Sequence, residues 1–287
     1  MIQFRRLSPN DFERIREAMS DSFADYAVAI DCSEKALYER FIRVNVNYNL
    51  SGAFFEAEKM VSFVLHGRGI FNAKAMLYNA GTGTIPEHRG NKLTEKIYAE
   101  MLPELRQDNY FGVLLEVTEN NERAKKVYEK IGFQITRKLN CYVLSSANTY
   151  PRYKATKTFN FHLKRPDLEQ LSLFMHENAD TIPSWQNTLE SIERSPEEKS
   201  LTAWQDNALC GALIFNPNNG RISQICVRRD MREKGIASAL IEEVKNYCTK
   251  GTLSVINIDE SAEGLNALFV KSGFKLLLRQ NEMLLPF

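Results

Sequence analysis

Apolar residues recur along the chain at two different spacings, and the changes between them mark out its elements. Ile97, Met101 and Leu105, with Tyr98 and Leu102, form a stripe every three to four residues that predicts a helix over 94–107, which Pro103 should disturb locally. Ala239, Leu240, Val244 and Tyr247 form the same kind of stripe further on. Residues 111–117 and 253–258 are short, β-rich apolar runs of the kind buried strands show. Ile2–Leu7 and Phe159–Leu163 read as opening strands, each followed by a helix, at Pro9–Ser20 and Pro166–His176. Meander strands fall near 53–66 and 201–215, and the polar, aperiodic stretch 146–158 reads as a linker.

Those elements come in the same order twice. Tyr78-Asn79-Ala80-Gly81-Thr82-Gly83-Thr84-Ile85 runs into Arg89-Gly90-Asn91-Lys92-Leu93-Thr94, then a helix, a strand ending Leu115-Glu116-Val117, and a helix closing on Ile131-Gly132-Phe133. Ile225-Cys226-Val227 runs into Arg232-Glu233-Lys234-Gly235-Ile236-Ala237, then a helix, a strand, and a helix closing on Ser272-Gly273-Phe274. The offset is 143 residues at the turns and 141 at the Gly-Phe pairs, a slippage that one loop absorbs. The fold expected is α/β, a mixed central sheet flanked by helices, built twice: residues 1–145, a linker at 146–158, and residues 159–287.

Composition narrows the function classes. The 287 residues carry 37 Lys+Arg against 36 Asp+Glu. Split at residue 150, the halves hold 20 basic and 19 acidic residues, then 17 and 17. Neither half has the positive field that would make nucleic acid or an anionic membrane the expected partner. Five scattered cysteines without a C-x-x-C pair imply neither a disulfide framework nor a zinc cluster. The four histidines have no metal-ligand spacing. With no apolar signal segment at the start and no membrane-length apolar run, a cytoplasmic location is expected.

A strand feeding a glycine-containing turn that opens a helix bares amides at the positive end of the helix dipole, a seat for phosphate. The pattern Arg-x-x-Gly-x-Ala, then a strand, Asn-x-x-Ala-x-x-x-Tyr and Gly-Phe, resembles the GNAT superfamily of acetyl-CoA-dependent N-acyltransferases, here in a tandem two-domain arrangement. The resemblance implies acetyl-CoA as cofactor and a small-molecule or peptide amine as acceptor. It further implies that the turn residues bind the pyrophosphate of coenzyme A (Arg89 to Thr94 and Arg232 to Ala237). The preceding strands, Gly81-Thr82-Gly83-Thr84-Ile85 and Ile225-Cys226-Val227, would pair with the pantetheine arm. Asn121, Ala124 and Tyr128 occupy the family's helix positions, with Tyr128 as general acid on the leaving thiolate. The stretch Leu115–Tyr128 is also similar to the ribosomal-protein N-terminal acetyltransferases, where the residue matching Glu116 is the base.

The copies depart from the pattern in complementary ways. Lys92 and Thr94 stand where the family has glycine and a small residue, whereas the second turn is complete. The second copy has Asn257 opposite Glu116, Ala262 opposite Asn121 and Phe269 opposite Tyr128. Phenylalanine has no transferable proton and an amide is no base near neutral pH. Catalysis is therefore expected in the first copy, by Glu116 and Tyr128, with Asp25 and Tyr26 as candidates for holding a cationic amine. The alternative is a non-catalytic coenzyme A-binding or regulatory protein.

Overall fold

The computed structural model describes residues 1–25, 30–145 and 159–287, so Tyr26 and the expected linker 146–158 lie outside the described residues. In chain order the strands and α-helices are β1 (Ile2–Arg6), α1 (Phe12–Phe23), α2 (Glu34–Arg43), β2 (Gly52–Glu56), β3 (Lys59–Phe71), β4 (Lys74–Thr84), α3 (Leu93–Leu105), β5 (Gly112–Thr118), α4 (Glu122–Ile131) and β6 (Gln134–Ser145). They continue with β7 (Asn160–Lys164), α5 (Leu168–Asn178), α6 (Leu189–Glu193), β8 (Lys199–Gln205), β9 (Ala208–Asn216), β10 (Arg221–Val227), α7 (Ile236–Val244), β11 (Thr252–Asp259), α8 (Glu263–Lys271) and β12 (Lys275–Pro286). The mixed α/β class expected from the sequence is what the chain adopts. Among the described residues no helix is long and apolar enough to cross a membrane.

Two compact units divide the chain, and their bounds differ from the simple halves read from the sequence. The first is Met1–Thr136 together with Glu282–Phe287; the second is Arg137–Asn281. In the first unit β1 to β4 form an antiparallel meander, and β5 joins β4 in parallel. Met283 and Leu285, from the far end of the chain, are buried in its core with Val64, Leu77, Ile97, Tyr98, Met101 and Val113. A Cβ on Gly112 would stand 2.3 Å from the carbonyl oxygen of Leu285, so glycine permits the close approach there. In the second unit β7 to β10 repeat the meander, β11 joins β10 in parallel, and β6 pairs antiparallel with β11 from Leu139 to Ser145. Tyr142 and Leu144 of β6 are buried there with Leu213, Phe215, Leu240, Val255 and Phe269.

Local sequence explains most element ends. Asn72-Ala73 and Asp206-Asn207 take positive φ between paired strands, the left-handed pair that tight hairpins require. Gly132 and Gly273, also at positive φ, end α4 and α8 and turn Phe133 and Phe274 into the two cores. Pro103 does not break α3, which ends two residues after it. α2 has no counterpart in the sequence reading; Ser33 caps it and Leu37 and Phe41 bury its inner face.

Because Glu282–Phe287 supply core side chains to the first unit, a fragment of residues 1–145 should fail to unfold cooperatively. In the full chain Met283→Ala should cost about 2–5 kcal/mol in denaturant unfolding. An unchanged midpoint for Met283→Ala, or a cooperative 1–145 fragment, would refute the exchange of strands.

Candidate functional site

In each unit one strand leaves its parallel neighbour early. β4 and β5 pair at Leu77↔Val113 and Tyr78↔Leu114, and the register ends there, although β4 continues beside β3 to Thr84. β10 and β11 pair at Arg221↔Ser254 and Ile222↔Val255 and then likewise part. Just past each parting point comes a one-residue bulge, at Ala80 in β4 and Ser223 in β10, the same offset that separates the two turns.

The first bulge is pinned by a buried polar chain. His66 Nδ1 lies 2.7 Å from the Leu50 carbonyl oxygen, so that nitrogen carries the proton and Nε2 accepts from the Tyr98 hydroxyl at 3.3 Å. The Tyr98 oxygen accepts in turn from Asn79 Nδ2 at 3.0 Å, and Asn79 Oδ1 accepts from the backbone N–H of Gly81 at 3.1 Å. Burial pulls the His66 pKa down to about 4 and pushes the Tyr98 hydroxyl well above its ordinary value.

Beyond each bulge the chain makes a turn with two left-handed residues. In the first unit these are Gly90 (φ 87°) and Lys92 (φ 55°); in the second, Glu233 (φ 62°) and Gly235 (φ 82°). Each turn thus has glycine at only one of the two positions that favour it, and the copies choose opposite ones. Lys92 and Gly235 are the N-cap residues of α3 and α7, and neither helix is capped by a side chain, in contrast to α2, α4, α5 and α6. A Cβ at Gly90 would meet nothing within 4 Å, so space opens beside the backbone of the first turn. Bare first-turn amides beside open space fit an anionic diphosphate.

The arginine that begins each turn is bonded within the protein. Arg89 donates to both carboxylate oxygens of Asp25, at 2.6 and 2.8 Å, to the Ser22 carbonyl at 3.0 Å and to the Thr84 carbonyl at 3.3 Å. Arg232 repeats this with Asp180 Oδ1 at 2.8 Å, the Asn178 carbonyl at 2.5 Å and the Val227 carbonyl at 3.4 Å. These guanidinium groups tie the turn to the end of the unit's first helix. The pair with Arg89 holds the Asp25 carboxyl below its usual range. Asp25, expected to hold a cationic amine, thus accepts from Arg89 through both oxygens, and the two guanidinium groups, expected at the pyrophosphate, bond to the protein's own carboxylates and carbonyls.

Several other expected ligand residues have side chains bonded or packed within the protein. Thr82 Oγ1 bonds Asn79, Thr84 Oγ1 bonds Ser62 at 2.8 Å, and Ile85 and Leu93 pack together in the core. Gly83 has no room for a side chain: its Cβ would lie 2.6 Å from the Phe63 ring. Asn91 Nδ2 donates to the His88 carbonyl at 3.1 Å, and Lys234 Nζ to the Asp230 carbonyl at 2.8 Å. The Asn-x-x-Ala spacing is a helix cap, with Asn121 Oδ1 accepting from the N–H of Ala124 at 3.0 Å.

Glu116 and Tyr128 of the first unit stand on elements consecutive in the chain, β5 and α4. Glu116 is on β5 just beyond the last parallel pair, and its Oε2 accepts a hydrogen bond from the Tyr78 hydroxyl. Tyr78 has no role in the sequence reading, and its place beside Glu116 emerges only from the parallel register of β4 and β5. Tyr128, half-buried on α4, packs edge-on against Phe133 with ring centroids 5.5 Å apart. The second unit keeps that packing between Phe269 and Phe274, at 5.1 Å, with Phe269 fully buried.

The second unit contains a cleft of about 520 Å³, within the range of small-molecule sites. Its wall includes Ile225, Cys226 and Val227 of β10, Arg232, Glu233 and Gly235 of the turn, Ile236 and Ala237 of α7, Asn257 of β11 and Phe269 of α8. Burial raises the Cys226 thiol pKa to about 11, so it is a neutral part of that wall.

Comparison with known proteins agrees with this geometry. The profile of the acetyltransferase (GNAT) family matches residues 16–133, and that of an acetyltransferase (GNAT) domain matches residues 163–283. A tandem GNAT protein of the clavulanic acid biosynthesis pathway superposes with a TM-score of 0.73 at 13% identity, covering 100% of this chain and 98% of that one. A GCN5-related N-acetyltransferase of Sphaerobacter thermophilus gives 0.72 at 15% identity, covering 99% and 95%. No curated protein sequence matches the chain significantly. The chain belongs to the GNAT family of acetyltransferases and carries two GNAT domains in tandem.

Two measurements follow from the site's construction. Lys92→Gly removes a Cβ from a left-handed position and should stabilise the chain by roughly 0.5–1 kcal/mol in chemical denaturation; a loss of stability would contradict the assigned backbone strain. The His66 value near 4 lies below the ordinary 6.5, so between these the unfolded chain binds a proton that the folded chain does not. Stability should therefore fall as the pH drops from 6.5 toward 4, and Asp11, held near 2 by Arg5, adds a loss in the same direction below about 4. His66→Gln should flatten the upper part of that slope. An identical slope in the variant would rule His66 out as its source.

Proposed function

We propose that the chain transfers the acetyl group of acetyl-CoA to a primary amine, on a small molecule or a peptide, by direct attack, with the chemistry in the first unit. The observation that carries this is the position of Glu116, held by the Tyr78 hydroxyl where β4 and β5 part, on the strand that leads into the helix bearing Tyr128.

An amine must be neutral to attack, and the departing sulfur needs a proton. Glu116 takes the proton from the attacking nitrogen, directly or through water, as the nitrogen–carbon bond forms. Tyr128 gives its phenolic proton to the sulfur as the carbon–sulfur bond breaks. The bared amides at the start of α3 hold the diphosphate, while the bulged strand Asn79–Gly83 orients the thioester carbonyl. The neutral charge balance fits a cytoplasmic enzyme that acts on neither nucleic acid nor membrane.

A second reading has one feature in its favour. The second unit unites a complete turn and a 520 Å³ cleft with Phe269 and Asn257 at the acid and base positions. On that reading the second cleft binds coenzyme A and regulates without turnover.

Acetyl-CoA consumption by the full chain against a diverse amine panel tests the proposal. Tyr128→Phe and Glu116→Gln should each lower kcat about 100-fold or more on the amine found. Unchanged rates in both variants would remove the first unit from the chemistry.

A further inference from the structure

The second cleft holds a polar group that the acetyl-transfer reading does not use. β11 bulges against β6: Val255 faces Tyr142 and Ile258 faces Asn140, so Ile256 and Asn257 together oppose Cys141. Asn257 takes the left-handed conformation there, at φ 59°, and is 3% exposed. Its Oδ1 is engaged twice, by Gln280 Nε2 at 2.7 Å and by the Cys141 thiol at 3.4 Å. Its backbone N–H donates back to the Cys141 sulfur at 3.4 Å. These contacts fix which way the carboxamide lies, with its oxygen toward β6 and β12 and its nitrogen away from them. That nitrogen, Nδ2, is buried and has no hydrogen-bond partner among the described residues, although Asn257 forms part of the cleft wall.

A buried donor without an acceptor is disfavoured in a native fold, more so when its residue is also held in a strained backbone conformation. A ligand oxygen would satisfy it. The chemistry is opposite to that of the first unit, where the equivalent position is Glu116, an acceptor for N–H protons. A carboxamide donor selects for an acceptor oxygen instead, and Phe269, elsewhere in the cleft wall, brings no hydroxyl.

We infer that Asn257 is a specificity-determining residue of the second cleft, donating from Nδ2 to an oxygen on the acyl portion of a coenzyme A thioester. The oxygen is either the thioester carbonyl or a carboxylate at the far end of the acyl chain. The inference rests on the reading that this cleft binds coenzyme A, and the two can fail separately.

The test is calorimetric titration of the full chain with coenzyme A, acetyl-CoA and succinyl-CoA. The second-cleft isotherm is identified as the one abolished by Gly235→Trp. Two variants remove the donor: Asn257→Gly, which suits the left-handed backbone, and Asn257→Asp, which keeps the shape but offers an acceptor. At this cleft the wild type should bind acetyl-CoA at least about 10-fold more tightly than coenzyme A, the discrimination a well-placed donor gives. Both variants should erase that preference and leave coenzyme A affinity unchanged. Still tighter binding of succinyl-CoA assigns the oxygen to a distal carboxylate; equal binding of the two thioesters assigns it to the carbonyl. Equal binding of all three ligands by the wild type, or a preference that survives in both variants, overturns the inference and leaves the coenzyme A reading standing. No coenzyme A isotherm sensitive to Gly235→Trp would overturn both.

Discussion

A helix cannot satisfy its own first amides, and in both units those amides are left uncapped at a fixed place. Two left-handed residues reverse the chain between strand and helix, and an arginine lashes the turn to the end of the unit's first helix through an aspartate and backbone carbonyls. Without that lashing, a turn with a non-glycine residue at a left-handed position would have cheaper conformations available. The bulges at Ala80 and Ser223 and the early parting of the parallel strands complete the same construction, leading from a wedge between strands to bare helix amides.

The repeat was legible in the sequence because it is written in residues with backbone roles. Gly132 and Gly273 end helices at positive φ, Asn121 caps α4, and the glycines of the two turns mark left-handed positions. What the sequence concealed was partnership. Arg89 and Asp25 are 64 residues apart, and nothing local distinguishes an arginine waiting for phosphate from one already satisfied by a carboxylate. The exchange of strands was hidden for the same reason: the apolar residues of β6 and β12 mark buried strand segments but not whose core they join. Tyr78 lies in an apolar run that reads as core, and only the end of the parallel register shows it beside Glu116.

The two units share backbone geometry and differ in what they place upon it. The edge-on pair Tyr128–Phe133 becomes Phe269–Phe274, keeping the packing and losing a hydroxyl. The carboxylate of Glu116 becomes the carboxamide of Asn257, one methylene shorter and carrying a donor N–H2 beside its acceptor oxygen. These substitutions change which ligand atoms each wedge can satisfy, and the second comes with a left-handed backbone at Asn257 in the β11 bulge that Glu116 does not share. The first unit keeps a carboxylate and a phenol at these positions, and the second a carboxamide and a phenyl ring.

Every functional role proposed for either unit requires the bare helix amides to receive a diphosphate. Crystals of the full chain grown with coenzyme A test this most directly. The expected result is diphosphate density within hydrogen-bond distance of the first backbone nitrogens of α3, of α7, or of both. Coenzyme A bound elsewhere, with both sets of amides facing solvent, would contradict it.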